Sequence, residues 1–313
     1  MALFNKKSSS QSVFGSVKEL TTLLLIVFIV RTFGFGLYQV PTGSMETTML
    51  VGERFFADKF TVLFTNPKRG DIISFNDPVF EYSKNPVVRA YQEYIGWPIW
   101  PWGPTNWTKR VIGIPGDHIQ GVIEDGKPVV YLNGAKLDEP YVNKYPLLAV
   151  VKIQHSWLDS LKGTEPMMSE NWKSYDMSLP DWKQPFYRIT NNEYSYPIVI
   201  PESMRSQLNL AENITIGSDG RLFKMPAQPA GEGCDVFDIT LKADQYWLMG
   251  DNRRGSHDCR FFGPIERRLI HGKIIFRIWS IDSDESWWIV DLITHPVDFW
   301  SRIRWDRFFQ VMS

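Results

Sequence analysis

Ser44 and Lys109 are the two residues of this chain whose side chains could together make an activated nucleophile. Ser44 stands in Pro41-Thr42-Gly43-Ser44-Met45, directly after an apolar run, and Lys109 opens Lys109-Arg110-Val111-Ile112-Gly113-Ile114-Pro115-Gly116-Asp117. A serine hydroxyl is a weak nucleophile until a base takes its proton. A lysine acts as that base only when its pKa is pushed down toward neutral. A free lysine titrates near 10.4, so lowering it by about three units costs roughly 4 kcal/mol, at about 1.36 kcal/mol per unit. Burial among apolar groups supplies a shift of that size. Lys109 has apolar neighbours along a candidate strand, and Arg110, next in the strand, points to the opposite face. Taken alone, a serine in a glycine turn shapes the turn and a Lys-Arg pair is a basic surface pair. Their surroundings decide between the bland and the chemical meaning.

The element that must place Ser44 is the apolar segment before it. Leu20 to Val40 reads LTTLLLIVFIVRTFGFGLYQV, long enough for one bilayer crossing of about 20 residues. Arg31 is costly at mid-membrane but snorkels when it lies off centre. A cleaved secretory signal peptide is the competing interpretation, but no small-x-small site follows the run cleanly. We expect an uncleaved anchor over residues 18–38. Lys6, Lys7 and Lys18 precede it, so the positive-inside rule puts the N-terminus in the cytoplasm and everything after Val40 outside. With 13 Trp in 313 residues, the chain is rich in a residue that favours the membrane–water boundary. A formal net charge of −1 argues against a nucleic-acid binder that works by bulk charge. Two cysteines, Cys234 and Cys259, make neither a disulfide framework nor a metal cluster, and whether they are bridged is open.

After the anchor the pattern is mostly β. Arg54 to Phe60 is a mixed strand candidate, and Arg69-Gly70-Asp71 is a turn feeding the strand Ile72-Ile73-Ser74-Phe75. Lys109 to Ile114 is a strand stopped by Pro115-Gly116-Asp117. Val129 to Leu132, then Asn133-Gly134, then Ala135 to Leu137 reads as a tight hairpin, since Asn-Gly accepts the positive φ of a type I′ turn. From about 140 to 235 the spacing is irregular and rich in Pro and Trp. Sharp signals return at Tyr246 to Arg253, and Lys273 to Trp279 closes the core. The expected organisation is a tail at 1–17, the anchor at 18–38, a catalytic β-domain at 39–120 and 236–282, an inserted lobe at 121–235 and an aromatic, basic tail at 283–313. Two tryptophan clusters, Trp97, Trp100, Trp102 and Trp107, and Trp287, Trp288, Trp300 and Trp305 with Arg302, Arg304 and Arg307 among the latter, are either local packing or a rim dipping into lipid headgroups.

PTGSM after an apolar segment, RGDIISF, KRVIGIPGD and GDNRRGSHDCR occur in that order. Singly these blocks mean little; together they resemble bacterial type I signal peptidase, the membrane-bound Ser–Lys endopeptidase family. The resemblance covers about 39–120 and 240–280. It implies a mostly β fold, an antiparallel β-sheet catalytic domain with an inserted β-rich lobe, preceded by one N-terminal transmembrane helix. It implies Ser44 as nucleophile and Lys109 as general base, with the Ser44 N–H and the Thr42 hydroxyl holding the oxyanion. Such donors are typically worth about 3 kcal/mol each in the transition state. It further implies that Ser256 hydrogen-bonds the Lys109 amine, that Asp251 partners Arg110, and that Asp258 and Arg260 form a supporting ion pair. Gly255 replaces a usual Asn, Cys259 a usual Ser, and Thr47 a usual Pro. These departures remove no group the mechanism needs but bear on loop shape.

By the same resemblance, a shallow apolar pocket for alanine is walled by Tyr38, Val40, Met45, Met49, Ile72, Ile73, Ser74 and Phe75, with Thr108 where an aliphatic residue is usual and with substrate adding as a β-strand. The partners implied are signal-peptide-bearing preproteins and membrane lipid, with no nucleic acid, for a monomer on the outer side of a bacterial inner membrane that removes signal peptides after small-x-small sites. His257 beside Asp258 is a poor relay, since neighbours in sequence point apart. His118, His155, His271 and His295 show no metal-binding spacing, so neither metal nor cofactor is expected. The alternatives are a Ser–Lys protease with a dedicated substrate, such as a pilin- or conjugation-specific peptidase, a self-cleaving repressor, whose DNA-binding helix-turn-helix is not found, and a catalytically dead membrane-tethered binding module.

Overall fold

The computed structural model describes residues 13–95, 103–125, 127–145, 147–154, 167–176, 178–180, 183–188, 193–197, 214–216, 222–224, 234–283 and 288–312. Its strands in chain order are β1 (Phe35–Gln39), β2 (Arg54–Asp58), β3 (Ile72–Asn76), β4 (Asn106–Gly113), β5 (His118–Glu124), β6 (Lys127–Leu132), β7 (Ala135–Lys136), β8 (Leu147–Gln154) and β9 (Met167–Ser174). They continue with β10 (Glu193–Pro197), β11 (Ile214–Ile216), β12 (Leu222–Lys224), β13 (Phe237–Thr240), β14 (Gln245–Met249), β15 (Ile265–Glu266), β16 (Ile270–Trp279) and β17 (Gln310–Val311).

The strands form an antiparallel sheet in the order β1-β2-β16-β3-β4-β14-β15, with β17 also paired to β16. A second sheet runs β13-β5-β6-β7, and smaller ones run β10-β8-β9 and β11-β12. The main core joins the first two sheets: Ile73, Phe75, Val111 and Leu248 pack with Ile119, Val130 and Leu241. β3 is buried at every position, as its near-continuous apolar run requires. The hairpin at Asn133-Gly134 forms as its local chemistry predicts, with φ of 52° and 81°.

The segment expected to cross a membrane at 18–38 divides into the helix α1 (Val13–Ile29), a π-helical turn Val30–Gly34 and β1. No helix among the described residues is long and apolar enough to cross a membrane. The helix stops because residues 35–39 find backbone partners along β2, with the Phe35 and Phe56 rings 4.8 Å apart. The side chains of α1 nevertheless have few neighbours: Leu23 and Leu24 are 57% and 59% exposed.

The boundary expected between 120 and 121 falls inside β5, whose partner β13 returns from the far side of the insertion. The C-terminal tail is no loose appendage. β17 pairs with β16, and Ile281, Phe299 and Ile303 build a small core of their own. Arg302, Arg304 and Arg307 turn inward to Asp291, Asp282 and Glu53, while Trp300 and Trp305 stay exposed. Trp97, Trp100, Trp102 and Trp287 lie outside the described residues.

Candidate active site

Ser44 enters on a 3-10 turn, Gly43–Met45, that follows the extended residue Thr42. Two bonds from one residue pin this turn: Asn252 donates its Nδ2 to the Gly43 carbonyl at 2.9 Å and its backbone N–H to the Ser44 carbonyl at 3.1 Å. Met45 and Met49 anchor it from below in a cluster with Val40, Phe55, Ala57, Ile72 and Ile274, against which Tyr38 and Met312 pack. The loop that continues is held by arginines from the far end of the chain. Arg277 and Arg307 donate to the carbonyl of Thr48, and Arg307 also to that of Thr47. Both contact the fully buried Glu53, whose carboxylate also caps the Leu50 N–H at 2.9 Å. These bonds hold the loop where a proline is usual and Thr47 stands.

Lys109 lies on β4, and its Nζ is 2.7 Å from Ser44 Oγ. The residue is 5% exposed. Burial pushes its amine down to about 8, against the opposing pull of Asp258 and with the help of Arg260. An amine poised there is partly neutral near physiological pH and in place to accept a hydroxyl proton.

Arg110 points the other way, as strand alternation requires. It forms a two-pronged bond to Asp251 at 2.9 and 2.8 Å, and its guanidinium lies 4.1 Å over the Tyr141 ring. The pair is fully desolvated and welds β4 to the end of β14. On the other side Arg260 grips Asp258 at 2.8 and 2.9 Å and also contacts Asp235 at 2.5 Å. Burial opposes the Asp258 carboxylate, but the Arg260 bonds, and less so the Gly250 N–H, hold it below the usual carboxylate range. The Asp258 charge thus stays fixed beside Lys109.

The Ser256 hydroxyl donates to the buried Asp258 Oδ2 at 2.8 Å. Among the described residues the hydrogen bond of the Lys109 amine goes to Ser44. Ser256 still borders the Ser44 turn, since a Cβ at Gly250 would strike both the Ser256 side chain and the Ser44 carbonyl. Gly255 has a parallel reason to lack a side chain: a Cβ there would press on the Asn252 amide that bonds Gly43. Cys259 packs in the core, accepts from the Leu248 N–H at 3.1 Å, and burial pushes its thiol well up. It and Cys234 are both free. His257 turns outward and stacks on Phe261 at 4.8 Å.

The candidate pocket residues split between two clusters. Val40, Met45, Met49 and Ile72 lie with Tyr38 in one; Ile73 and Phe75 lie in the other. Ser74 is fully buried, and Thr108 is half-buried. β3 has partners on both sides, β16 and β4, so it can offer side chains but no free backbone edge. An edge exists on β4 instead. β14 pairs with β4 only from Arg110 to Gly113, leaving Asn106 to Lys109 unpaired on that side among the described strands. Sequence reasoning missed this edge, and with it Asn252, Glu53 and Arg307. Asn252 lies inside the GDNRRGSHDCR block, whereas nothing in the aromatic, basic tail around Arg307 signals its contact with Glu53.

The sequence model of the family described as signal peptidase, peptidase S26, matches residues 13–279. A "Signal peptidase I" of Buchnera aphidicola subsp. Schizaphis graminum (strain Sg) is 27% identical over 88% of this chain and 78% of its own. A "Probable signal peptidase I-2" of Synechocystis sp. (strain ATCC 27184 / PCC 6803 / Kazusa) is 30% identical over 84% of this chain and 72% of its own. A solved signal peptidase I from Enterococcus faecalis V583, 16% identical, covers 67% of this chain and 97% of its own at a TM-score of 0.23, below what carries a comparison of folds. With most of its length matched by the family's sequence model, the chain belongs to the signal peptidase family, peptidase S26, and is a serine peptidase of the type I signal peptidases.

Proposed function

We propose that the chain cleaves signal peptides from exported preproteins after small-x-small sites, with Ser44 as nucleophile and Lys109 as general base. The 2.7 Å contact between Lys109 Nζ and Ser44 Oγ is the observation that carries this. The neutral amine takes the Ser44 proton as Oγ bonds to the scissile carbonyl carbon. The carbonyl electron pair moves onto oxygen, where the Ser44 N–H and the exposed Thr42 hydroxyl face it. Lys109 then protonates the departing amine as the C–N bond breaks, leaving an acyl-serine. Water, deprotonated by the same amine, releases the signal peptide and restores Ser44. Donors preorganised at the oxyanion are typically worth about 3 kcal/mol each. Asp258, Arg260 and Ser256 support the amine, while Arg110 and Asp251 hold β4 against β14.

The unpaired edge of β4 at Asn106 to Thr108 leads directly to Lys109 and suits a substrate strand, which would gain main-chain bonds there. Tyr38, Val40, Met45, Met49 and Ile72 form one apolar cluster near Ser44, with Ile73 and Phe75 on the opposite face of β3, and a substrate with alanine at its recognised positions needs only shallow depressions. Anchoring by α1 together with the π-helical turn that continues it, Val13 to Gly34, would set this edge at the outer face of the membrane, where a cut site emerges from lipid. The half-exposed leucines of α1 support that placement.

The test incubates purified full-length protein with a signal-peptide-bearing precursor. Cleavage by the wild type and its loss in Ser44→Ala and Lys109→Ala is the expected result. Cleavage persisting in either variant, or absent from the wild type, overturns the assignment.

A further inference from the structure

Glu46 follows the nucleophile by two positions, yet its carboxyl group does not reach solvent. The residue is 3% exposed. Its carboxylate lies flat against Gly43: a Cβ added there would sit 2.9 Å from the Glu46 carboxyl carbon. The Glu46 N–H closes the same turn on the Gly43 carbonyl at 3.1 Å. The carboxylate therefore abuts the peptide whose N–H is assigned to the oxyanion.

What holds Glu46 comes from far along the chain. Ser174, the last residue of β9, donates both its backbone N–H, at 2.8 Å, and its hydroxyl, at 2.7 Å, to Glu46 Oε2. The Ser174 hydroxyl in turn accepts from Asn143 Nδ2 at 2.6 Å. Asn143 donates its own backbone N–H to the Asp251 carbonyl at 2.9 Å. Asp251 precedes Asn252, the residue with two bonds to the Gly43-Ser44 turn. The chain of bonds thus starts at Glu46 and returns, through Asp251 and Asn252, to the Gly43-Ser44 turn. Both Asn143 and Ser174 belong to the inserted segment, whose Tyr141 also stacks on Arg110.

We propose that Glu46 is a positioning residue through which the inserted segment, by way of Ser174 and Asn143, sets the angle of the Ser44 turn. The insertion is a clamp on the nucleophile. This rests on the proteolytic role given to Ser44 above. The clamp aligns Ser44 and its N–H for the transition state, so its loss lowers kcat and leaves KM nearly unchanged. A misplacement of a reacting group by about 1 Å costs on the order of 100-fold in rate.

The experiment compares full-length wild type with Ser174→Ala, Asn143→Ala, their double variant, Glu46→Ala and Glu46→Gln. It uses a signal-sequence peptide substrate and measures amide hydrogen exchange over residues 43–49 in parallel. We expect Ser174→Ala and Asn143→Ala each to lower kcat about fivefold, Glu46→Ala roughly 30-fold, and KM to stay within about twofold throughout. The double variant falls no further than the weaker single, because both residues act through one chain of bonds. Glu46→Gln, which keeps an acceptor for Ser174, recovers kcat to within about threefold of wild type. Exchange over 43–49 rises in Ser174→Ala. Wild-type kcat in Ser174→Ala, additive losses in the double variant, or unchanged exchange overturns the clamp. The exchange readout needs no cleavage, so it separates failure of the clamp from failure of the protease assignment. Should Glu46→Ala not fold, the Ser174 and Asn143 variants decide the matter by themselves.

Discussion

Replacing Lys109 by methionine is expected to stabilise the protein at neutral pH while abolishing cleavage. Burial carries the amine from its ordinary value of 10.5 down to about 8, which at about 1.36 kcal/mol per pH unit corresponds to roughly 3 kcal/mol. The folded pKa lies below the unfolded one, so for this base the neutral form is the one folding favours. Below about pH 8 both states hold the proton and the folded protein carries the whole penalty. Between about 8 and 10.5 only the unfolded chain binds it, so stability rises with pH across that window. Methionine removes the penalty and keeps the apolar stem, but gives up the bond to Ser44, worth about 1 kcal/mol. The net gain at pH 7 is therefore about 2 kcal/mol, shrinking as pH rises toward 10.5. Urea denaturation of both proteins at pH 7 and pH 9.5 measures it. With Lys109 as the proposed general base, kcat/KM for a peptide substrate should climb about tenfold from pH 7 to 9, along a limb centred near 8. A methionine variant less stable than wild type at pH 7, a stability gap that ignores pH, or a flat rate profile would refute the reasoning.

Two further outcomes follow from the geometry. Asp251→Ala leaves the Arg110 guanidinium desolvated without its charge partner, and should cost about 3–5 kcal/mol in chemical denaturation; a loss under 1 kcal/mol would mean that water reaches the pair. Cys259, 1% exposed with its thiol driven up by burial, should escape iodoacetamide in the native protein, whereas the half-buried Cys234 is labelled. Peptide mass mapping that finds native Cys259 alkylated would contradict its place in the core.

Much of the local architecture was legible from short stretches. Asn133-Gly134 turned as its sterics require, and β3 and β4 appeared where apolar runs end at turn residues. Lys109 and Arg110 diverged because neighbours on a strand must. The apolar run before Ser44 was legible as apolar but not as divided: nothing within Leu20 to Val40 announces that residues 35–39 will find a strand partner in β2. That the Ser256 hydroxyl donates to Asp258 is equally unreadable from the sequence, since only the fold sets which groups a buried hydroxyl meets.

The types and order of the reactive groups, a hydroxyl on a glycine turn, an amine on an apolar strand and the charged block near the end, belong to the linear sequence, since composition and local pattern need no folded chain to be read. Whether that amine is dry, and which residues seat the nucleophile, only the tertiary structure decided. Ser44 and Lys109 meet across 65 positions, and Glu46 and Ser174 across 128. Desolvation and hydrogen-bond geometry are properties of what surrounds a group in space, and for these groups the surroundings arrive from remote segments that carry no mark of their destination.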